Sequence, residues 1–273
     1  MENLVEISLD EAKEKMLEMM CYIDKVCRDN NIKYSLAYGT LIGAIRHKGF
    51  IPWDDDMDIM LTRDNYDKLI EIIKKDDKYD LLDFDSGFIL NFSKICCRNT
   101  LAIEKDKYRL KCDLIGVFVD IFPIDNLPEK EPKRHLRKIS LIQHLLIYRN
   151  FNMILSPGSF LKKIAKFSLL FPLFFISRVF FTKKYLIRIL KETILKYKNI
   201  TTKKCGIFSD GLKEIYYKSI FENYIDVSFE NFKLMAVENY DAILKIYYGD
   251  YMKLPPEEKR INIHTYKYYA SRI

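Results

Sequence analysis

The chain has 273 residues, of which 49% are hydrophobic, 14% aromatic and 30% charged, with only 9 glycines and 8 prolines. A chain of this length and composition can bury a substantial core, which excludes a disordered protein or a linker. Its formal charge of +7 is uneven, because residues 131–204 carry 17 lysines and arginines against two acids and the remainder is negative.

The first half of the chain mixes helical and strand patterns. Leu9–Asn30 has an apolar repeat that predicts an amphipathic helix, and Asp56–Leu61 alternates and then turns apolar, as does a strand that enters a core. Between them, Gly39-Thr40 predicts a turn that opens a short helix. The other elements predicted here are a strand over Lys33–Tyr38, a helix over Asp64–Lys75, and strands around Tyr79–Phe84, Phe88–Arg98 and Gly116–Phe122. This order indicates a mixed α/β or α+β domain.

Beyond residue 130 the patterns are mainly helical. The predicted helices are Lys133–Asn150, Phe160–Phe181 and Lys184–Tyr197, and further elements are predicted over Glu214–Ser219, Phe229–Met235 and Asn239–Tyr248. We therefore divide the chain into a catalytic core (1–130), a basic helical segment (131–205) and a C-terminal part that completes the core (206–273).

An uncharged, largely apolar run of 11 residues, Phe167–Ser177, lies between basic flanks. It is too short to span a bilayer, which takes about 20 apolar residues. One interpretation is a helix buried in the core, and the other is an aromatic helix in the interface of an anionic membrane. We favour the interface because the apolar run and the basic block coincide, and we expect a peripheral position on the inner face of the cytoplasmic membrane.

The cysteines and the N-terminus indicate the compartment. The six cysteines form no CxxC pair and the N-terminus lacks the apolar run of a signal peptide, which predicts a reducing, cytoplasmic environment. The adjacent Cys96 and Cys97 would supply two of the four ligands of a zinc site, but the sequence has no second close pair of ligands.

The basic block of residues 131–204 indicates an anionic partner. Composition does not choose between nucleic acid, anionic lipid and a phosphate-rich acceptor.

Four aspartates fall within five residues, at Asp54, Asp55, Asp56 and Asp58. If the strand includes them, Asp54, Asp56 and Asp58 share one face and Asp55 points away. Carboxylates this close repel one another unless a cation lies between them, and Mg²⁺, or Mn²⁺ in its place, takes carboxylates together with phosphate oxygens. The pattern therefore predicts a metal site for phosphoryl chemistry, and the alternative is a solvated acidic turn.

Two further features favour the metal site. Gly39 and Thr40 open a short helix whose backbone N–H groups can bind phosphate, and Asp120 lies in another predicted strand. A glycine-hydroxyl turn, two strand acids and a third acid on a neighbouring strand match the layout of the nucleotidyltransferase fold.

Three stretches of the sequence carry a family resemblance. They are AYGTLIGAIRHKGFIPWDDDMDI (37–59), VDIFPID (119–125) and YGDYMKLPPEEKR (248–260), with His264 beyond the last. Together they closely resemble the signature of the LicD family of phosphotransferases, relatives of the fukutin proteins. The resemblance extends from about residue 10 to residue 265, and Lys133–Lys204 is its least characteristic part.

The resemblance implies both a fold and an activity. The fold is α+β, with a nucleotidyltransferase-like mixed β-sheet core flanked by helices and a mainly helical basic insert. The activity is transfer of phosphocholine from CDP-choline to a cell-surface glycan, such as teichoic acid or lipopolysaccharide, or to its lipid-linked precursor. Asp54, Asp56, Asp58 and Asp120 are the implied metal ligands, and the last three are the implied catalytic residues.

The same resemblance places other residues near the donor. Gly39 and Thr40 correspond to the phosphate-side turn, and Lys94 is assigned to the donor phosphate. Arg46 and Lys48 either contact phosphate or cap a helix and enter solvent. Trp53 is either a packing residue or a platform for a base or a choline cation.

Two other functions remain open. The same site would serve a transferase for another CDP-linked phosphoalcohol, such as phosphoethanolamine or a polyol phosphate, or a cytidylyltransferase that makes such a donor. A non-enzymatic nucleic-acid-binding protein would use the basic block, but that block lies among phenylalanines and leucines without a recognisable module. We therefore expect no nucleic acid partner.

Overall fold

The computed structural model describes residues 4–104, 115–150, 171–172, 174–208, 214–261 and 266–271. Its helices are α1 (Leu9–Asp29), α2 (Tyr38–Ile42), α3 (Arg63–Lys75), α4 (Pro132–Asn150), α5 (Lys183–Ile194) and α6 (Tyr240–Tyr248). Its strands are β1 (Leu4–Ile7), β2 (Ser35–Leu36), β3 (Asp58–Thr62), β4 (Asp80–Leu82), β5 (Ser93–Cys96), β6 (Thr100–Glu104), β7 (Phe118–Asn126), β8 (Lys204–Gly206), β9 (Ile215–Tyr217), β10 (Tyr224–Phe229), β11 (Phe232–Val237) and β12 (Tyr266–Ser271). A π-helical turn (Gly43–His47) extends α2, and short 3-10 helices cover Leu195–Tyr197, Lys218–Phe221 and Glu257–Lys259.

A mixed seven-stranded sheet forms the centre of the fold. Its order is β2-β3-β7-β5-β4, and β8 pairs with the end of β7 and with β9. Only β3 and β7 run parallel among these pairs in the described part of the chain. Eight of the nine residues of β7 are buried, as expected for a strand covered on both faces. The mixed sheet with flanking helices confirms the predicted fold class.

Helix α1 covers the sheet through one apolar face. Met16, Met19, Met20 and Ile23 are fully buried, and this spacing places them on one side of a helix. The helix begins with a capping box, in which Ser8 Oγ accepts from the Glu11 backbone N–H and the Glu11 carboxylate accepts from that of Ser8. Such caps stabilise a helix start by about 1 kcal/mol.

Two smaller assemblies complete the molecule. The antiparallel sheet β1-β12-β6 joins the two ends of the chain beside the core. Helices α4 and α5 pack together over a second apolar cluster, which includes Ile139, Leu146, Leu186 and Leu190. No helix in the described ranges is both long and apolar enough to cross a membrane.

The structure differs from several predicted elements. The strand predicted over Phe88–Arg98 is only β5, because its first residues are irregular and follow a turn in which Asp83 accepts backbone hydrogen bonds from Asp85 and Ser86. The single element predicted over Phe229–Met235 is the turn and second strand of the β10–β11 hairpin. Most of the helix predicted over Phe160–Phe181 lies outside the described residues, although residues 174–179 are helical.

Candidate active site

Three adjacent strands bring charged side chains into one row. Asp58 on β3 pairs in parallel register with Asp120 on β7, and Lys94 on β5 lies opposite Asp120. Cross-strand partners project to the same face of a sheet. Lys94 Nζ lies 2.6 and 2.8 Å from the two carboxylate oxygens of Asp120, and all three side chains are buried.

The other aspartates lie in the loop before β3, and the prediction that they share a strand face is wrong because β3 starts only at Asp58. One carboxylate oxygen from each of Asp54, Asp55 and Asp56 lies within 4.8 Å of the others. Asp54 and Asp56 line a pocket together with Asp58 and Asp120. Asp55, predicted to point away, is 1% exposed and outside that lining, yet it contributes an oxygen to the cluster.

Helix α2 positions both parts of this cluster. Thr40 Oγ1 accepts a hydrogen bond from the Asp58 backbone N–H at 2.8 Å, and Thr40 is 3% exposed. Its hydroxyl therefore holds the start of β3, and Thr40 is outside the pocket lining; the expected phosphate contact, which is through the backbone N–H groups of this turn, stays a prediction. Gly39 does line the pocket, and a Cβ there would lie 2.3 Å from Asp54 Oδ2. A glycine is required for the Asp54 carboxylate to approach this closely.

The carboxylates raise the electrostatic cost of ionising one another. Burial, with the nearby charges of Asp56, Asp120 and Asp54, raises the pKa of Asp58 well above its usual value, and Lys94 opposes that shift. Lys94 contributes a positive charge beside Asp120. Closely spaced carboxylate oxygens, such as those of Asp54, Asp55 and Asp56, fit a hard divalent cation such as Mg²⁺.

The cations predicted to contact the donor phosphate are placed differently. Lys94 is paired with Asp120 and lies 3.5 Å from the centre of the Phe118 ring, so it does not present a free charge to a donor. Lys48 is exposed, its ammonium donates to the Ile45 carbonyl, and it is outside the pocket lining. Of the two interpretations of Lys48, the one in which its side chain caps a helix and enters solvent therefore fits the structure.

Arg46 does line the pocket. Its Nη1 donates to the Tyr251 carbonyl at 2.7 Å and its Nε to His47 Nε2 at 2.9 Å. Burial and the nearby Arg260 lower the pKa of Arg46 from its usual value. Two guanidinium groups held near each other favour an anion between or beside them.

A pocket of about 570 Å³ lies over the carboxylates. Besides Asp54, Asp56, Asp58 and Asp120, its lining contains the cations Arg46 and Lys253, the acid Asp250, the aromatic residues Tyr38, Trp53, Phe92, Phe122, Tyr247, Tyr248 and Tyr251, and the residues Gly39, Ile42, Ile51, Pro255 and Ile261. The pocket thus combines an acidic centre with cations and many aromatic rings.

Comparison with known proteins identifies the family. A sequence profile described as "LicD/FKTN/FKRP, nucleotidyltransferase domain" matches residues 31–145. Over 298 aligned positions the chain is 30% identical to the lipopolysaccharide cholinephosphotransferase LicD of Haemophilus influenzae, with 96% of this chain and 98% of that protein covered. The chain belongs to the LicD family. It is also 28% identical over 116 residues to an uncharacterized protein of Rickettsia prowazekii, which covers 42% of this chain and 40% of that one.

The LicD-family profile covers the carboxylate cluster, α2 and Lys94, but not the whole pocket. Tyr247 and Asp250 line the pocket from beyond the profile, and Arg260, also beyond it, is 6.0 Å from the ring centre of the pocket residue Trp53. Asp250 and Arg260 lie in the tail stretch that carries the family resemblance, whereas Tyr247 precedes it. His264 lies outside the described residues.

Proposed function

We propose that this protein transfers phosphocholine, or a closely related phosphoalcohol, from a CDP-activated donor to a hydroxyl group of a cell-surface glycan or its lipid-linked precursor. The choice of a CDP-activated donor rests on the family resemblance. The choice of a glycan acceptor is supported by the relative that matches over its full length, a lipopolysaccharide cholinephosphotransferase. The observation that carries the proposal is the single pocket in which Asp54, Asp56, Asp58 and Asp120 meet cations and aromatic rings.

The reaction is a displacement at phosphorus. The acceptor oxygen bonds to the phosphorus that carries the choline, the bond from this phosphorus to the bridging oxygen breaks, and CMP leaves with the electron pair. The acceptor hydroxyl gives its proton to a pocket carboxylate, Asp54 or Asp120, which acts as a general base. Positioning and charge stabilisation account for most of the acceleration of such transfers.

We assign the pocket residues to two tasks. Asp54, Asp56, Asp58 and Asp120 would hold Mg²⁺ or Mn²⁺, which when bound neutralises negative charge on the phosphoryl oxygens and the leaving group. Arg46 orients the donor through charge-assisted hydrogen bonds to its phosphates, because it is the guanidinium in the pocket lining.

Replacement of Asp58 by Asn tests the metal assignment. We expect transfer from CDP-choline to fall by about a hundredfold or more, and Mg²⁺ to raise the melting temperature of the wild type but not of Asp58→Asn. The fold should survive, because burial and neighbouring acids already disfavour the charged form of Asp58. The matched control is Asp77→Asn, whose side chain is fully exposed. Near-normal turnover by a folded Asp58→Asn protein would falsify the assignment.

The donor needs its own assay. Purified protein is supplied with CDP-choline, CDP-ethanolamine and a CDP-polyol, and the release of CMP is measured with and without a glycan acceptor. Formation of a CDP-alcohol from CTP and a phosphoalcohol would show a cytidylyltransferase instead. Preferential transfer from a donor other than CDP-choline would show that the proposed donor is wrong. The proposed reaction, transfer of a phosphoalcohol with release of CMP, would still stand.

We also propose that the protein attaches peripherally to an anionic membrane. Phe171, Phe175, Val179 and Phe180 are between 42% and 67% exposed, which is unusual for aromatic and aliphatic side chains that lie close together in sequence. Basic residues are close to them in the sequence, among them the exposed Arg178, Lys184 and Arg188. This combination favours an interfacial contact with anionic head groups.

Vesicle sedimentation tests this attachment. We expect binding to phosphatidylglycerol vesicles, weak binding to phosphatidylcholine vesicles, and a loss in the double variant Phe175→Ser/Phe180→Ser. The control is Phe232→Ser, an exposed phenylalanine on the β10–β11 hairpin. Binding to a DNA oligonucleotide without binding to anionic vesicles would contradict the proposal.

A further inference from the structure

Four aromatic side chains in the pocket lining form an unbroken series of ring contacts. Ring centres are 4.6 Å apart for Phe92 and Phe122, 5.0 Å for Phe122 and Tyr38, and 5.3 Å for Tyr38 and Tyr247. We call these four residues the aromatic wall. They come from four separate parts of the chain, the segment before β5, β7, α2 and α6, so the wall exists only in the folded protein.

The ring orientations distinguish between possible occupants of the wall. The planes of Tyr38 and Phe122 meet at 83°, those of Tyr38 and Tyr247 at 64°, and those of Phe92 and Phe122 at 36°. A flat nucleobase stacks best on a ring face parallel to its own plane. A rounded quaternary ammonium group instead interacts well with several ring faces set at different angles, because the negative potential of an aromatic ring lies over its face and not at its edge. The wall therefore favours a rounded cation.

The electrostatics near Tyr38 favour the same occupant. The Tyr38 hydroxyl donates to Glu214 Oε1 at 2.5 Å, and Glu214 is fully buried. A hydrogen bond to a carboxylate polarises the phenol, which makes its ring face more attractive to a cation.

The wall lies beside the carboxylates that would hold the phosphoryl group. Phe122 follows Asp120 by two residues on β7, so their side chains lie on one face about 7 Å apart. Tyr38 precedes Gly39, which lies so near Asp54 that a Cβ at Gly39 would be 2.3 Å from Asp54 Oδ2. In phosphocholine only one oxygen and two carbons separate the phosphorus from the nitrogen. A donor with its phosphorus at the carboxylates therefore has its ammonium group within reach of the wall.

We propose that the aromatic wall binds the trimethylammonium group of the donor and selects choline over ethanolamine and polyols. This inference rests on the proposed function, because it assumes that the carboxylates receive the donor's phosphates. Ethanolamine carries a smaller ammonium group that keeps its hydration, so it gains less from ring faces. The wall is then the specificity-determining part of the pocket.

Steady-state kinetics with two donors test the wall. We measure kcat/KM for CDP-choline and CDP-ethanolamine in Tyr247→Leu and Phe92→Leu, which remove a ring but keep an apolar side chain. The choline-to-ethanolamine ratio should fall about tenfold in each. Tyr247→Phe, which keeps the ring, should retain the wild-type ratio. Tyr217→Leu, which removes an exposed ring outside the pocket, is the matched control.

A binding measurement separates failure of the wall from failure of the proposed function. Tetramethylammonium and CMP are titrated by NMR into the wild type and into Tyr247→Leu. Loss of tetramethylammonium binding with unchanged CMP binding supports the wall, even if the preferred donor of the enzyme is not CDP-choline. Transfer from CDP-choline with an unchanged donor ratio in both leucine variants overturns the wall and leaves the proposed function standing. Loss of CMP binding in Tyr247→Leu would show that the wall stacks the cytosine base. That result would also overturn the proposal that the wall binds the trimethylammonium group.

Discussion

At the residue scale, Lys94 has a different task from the one its position in the motif implied. Its ammonium is buried against both oxygens of Asp120 and against the ring of Phe118. A lysine buried in this way stabilises a neighbouring carboxylate, whereas a phosphate-binding lysine must remain available to the ligand. Arg46 and Lys253 are the cations in the described pocket lining, and we assign the phosphate-binding role to Arg46.

We predict that Lys94→Met destabilises the protein strongly. The change removes Lys94 from its buried ion pair with Asp120, and the loss of one member of such a pair costs about 3–5 kcal/mol. Urea unfolding measures this free energy, and Lys75→Met, in a pair whose side chains are more than 70% exposed, is the control. Because the variant loses a positive charge beside Asp120, Mg²⁺ should raise its stability more than that of the wild type. Equal free energies of unfolding for Lys94→Met and Lys75→Met would show that the Lys94–Asp120 pair does not stabilise the fold.

We predict that Gly39→Ala impairs the site while leaving the fold intact. A Cβ at this position would lie 2.3 Å from Asp54 Oδ2, so the Asp54 side chain must rotate away. Alanine is the better residue within α2 by about 1 kcal/mol, so stability should not suffer much. Mg²⁺ affinity, measured by isothermal titration, should fall by about tenfold or more. Unchanged affinity would mean that Asp54 is not a ligand.

At the element scale, the parallel pairing of β3 and β7 creates the site. The sequence was sufficient to predict that Asp58 and Asp120 begin or occupy strands, because both stretches turn apolar after or around an acid. Local pattern did not show that Asp54 and Asp56 lie in a loop, since acids at alternate positions look the same on a strand. The pairing of Lys94 with Asp120 depends on strand order, which is a long-range property that residue periodicity does not contain.

The packing of α4 onto neighbouring elements predicts a pH dependence of stability. His135 on α4 is 8% exposed, lies edge-on to the Tyr197 ring, and has no hydrogen-bond partner for Nε2 among the described residues. Burial, with the positive charges of Lys196 and Lys138, lowers its pKa from the usual value, and Asp125 opposes the shift. The folded state therefore binds a proton at lower pH than the unfolded state does.

It follows that His135 reduces stability as the pH falls below about 6.5, the pKa of an exposed histidine. We expect His135→Phe, which keeps a ring against Tyr197, to lose less free energy of unfolding between pH 7.5 and pH 5.5 than the wild type. Urea unfolding at several pH values measures how steeply the free energy of unfolding falls with pH. His144→Phe, on the exposed side of α4, controls for the added ring. A slope in His135→Phe equal to that of the wild type would contradict the assignment.

At the scale of the whole molecule, the C-terminal strand supports the carboxylate loop from a distance of more than 200 residues in sequence. β12 lies between β1 and β6, and the Tyr268 hydroxyl donates to the Asp55 carbonyl at 2.9 Å. The aromatic residues of the tail likewise complete the pocket, since Tyr247 and Tyr251 line it. None of these contacts has a local sequence signal, because each joins segments that only the complete fold brings together.

Tyr268→Phe tests this support. The change removes one hydroxyl from a side chain that is 2% exposed and leaves the Asp55 carbonyl without that donor, which costs about 1–3 kcal/mol. Since the same loop carries Asp54 and Asp56, Mg²⁺ affinity should fall as well, whereas a purely structural tyrosine would lower stability alone. Tyr269→Phe, whose side chain projects to the opposite face of β12, should preserve both properties. A Tyr268→Phe protein of lower stability but wild-type Mg²⁺ affinity would show that the loop holds its carboxylates without the C-terminal strand.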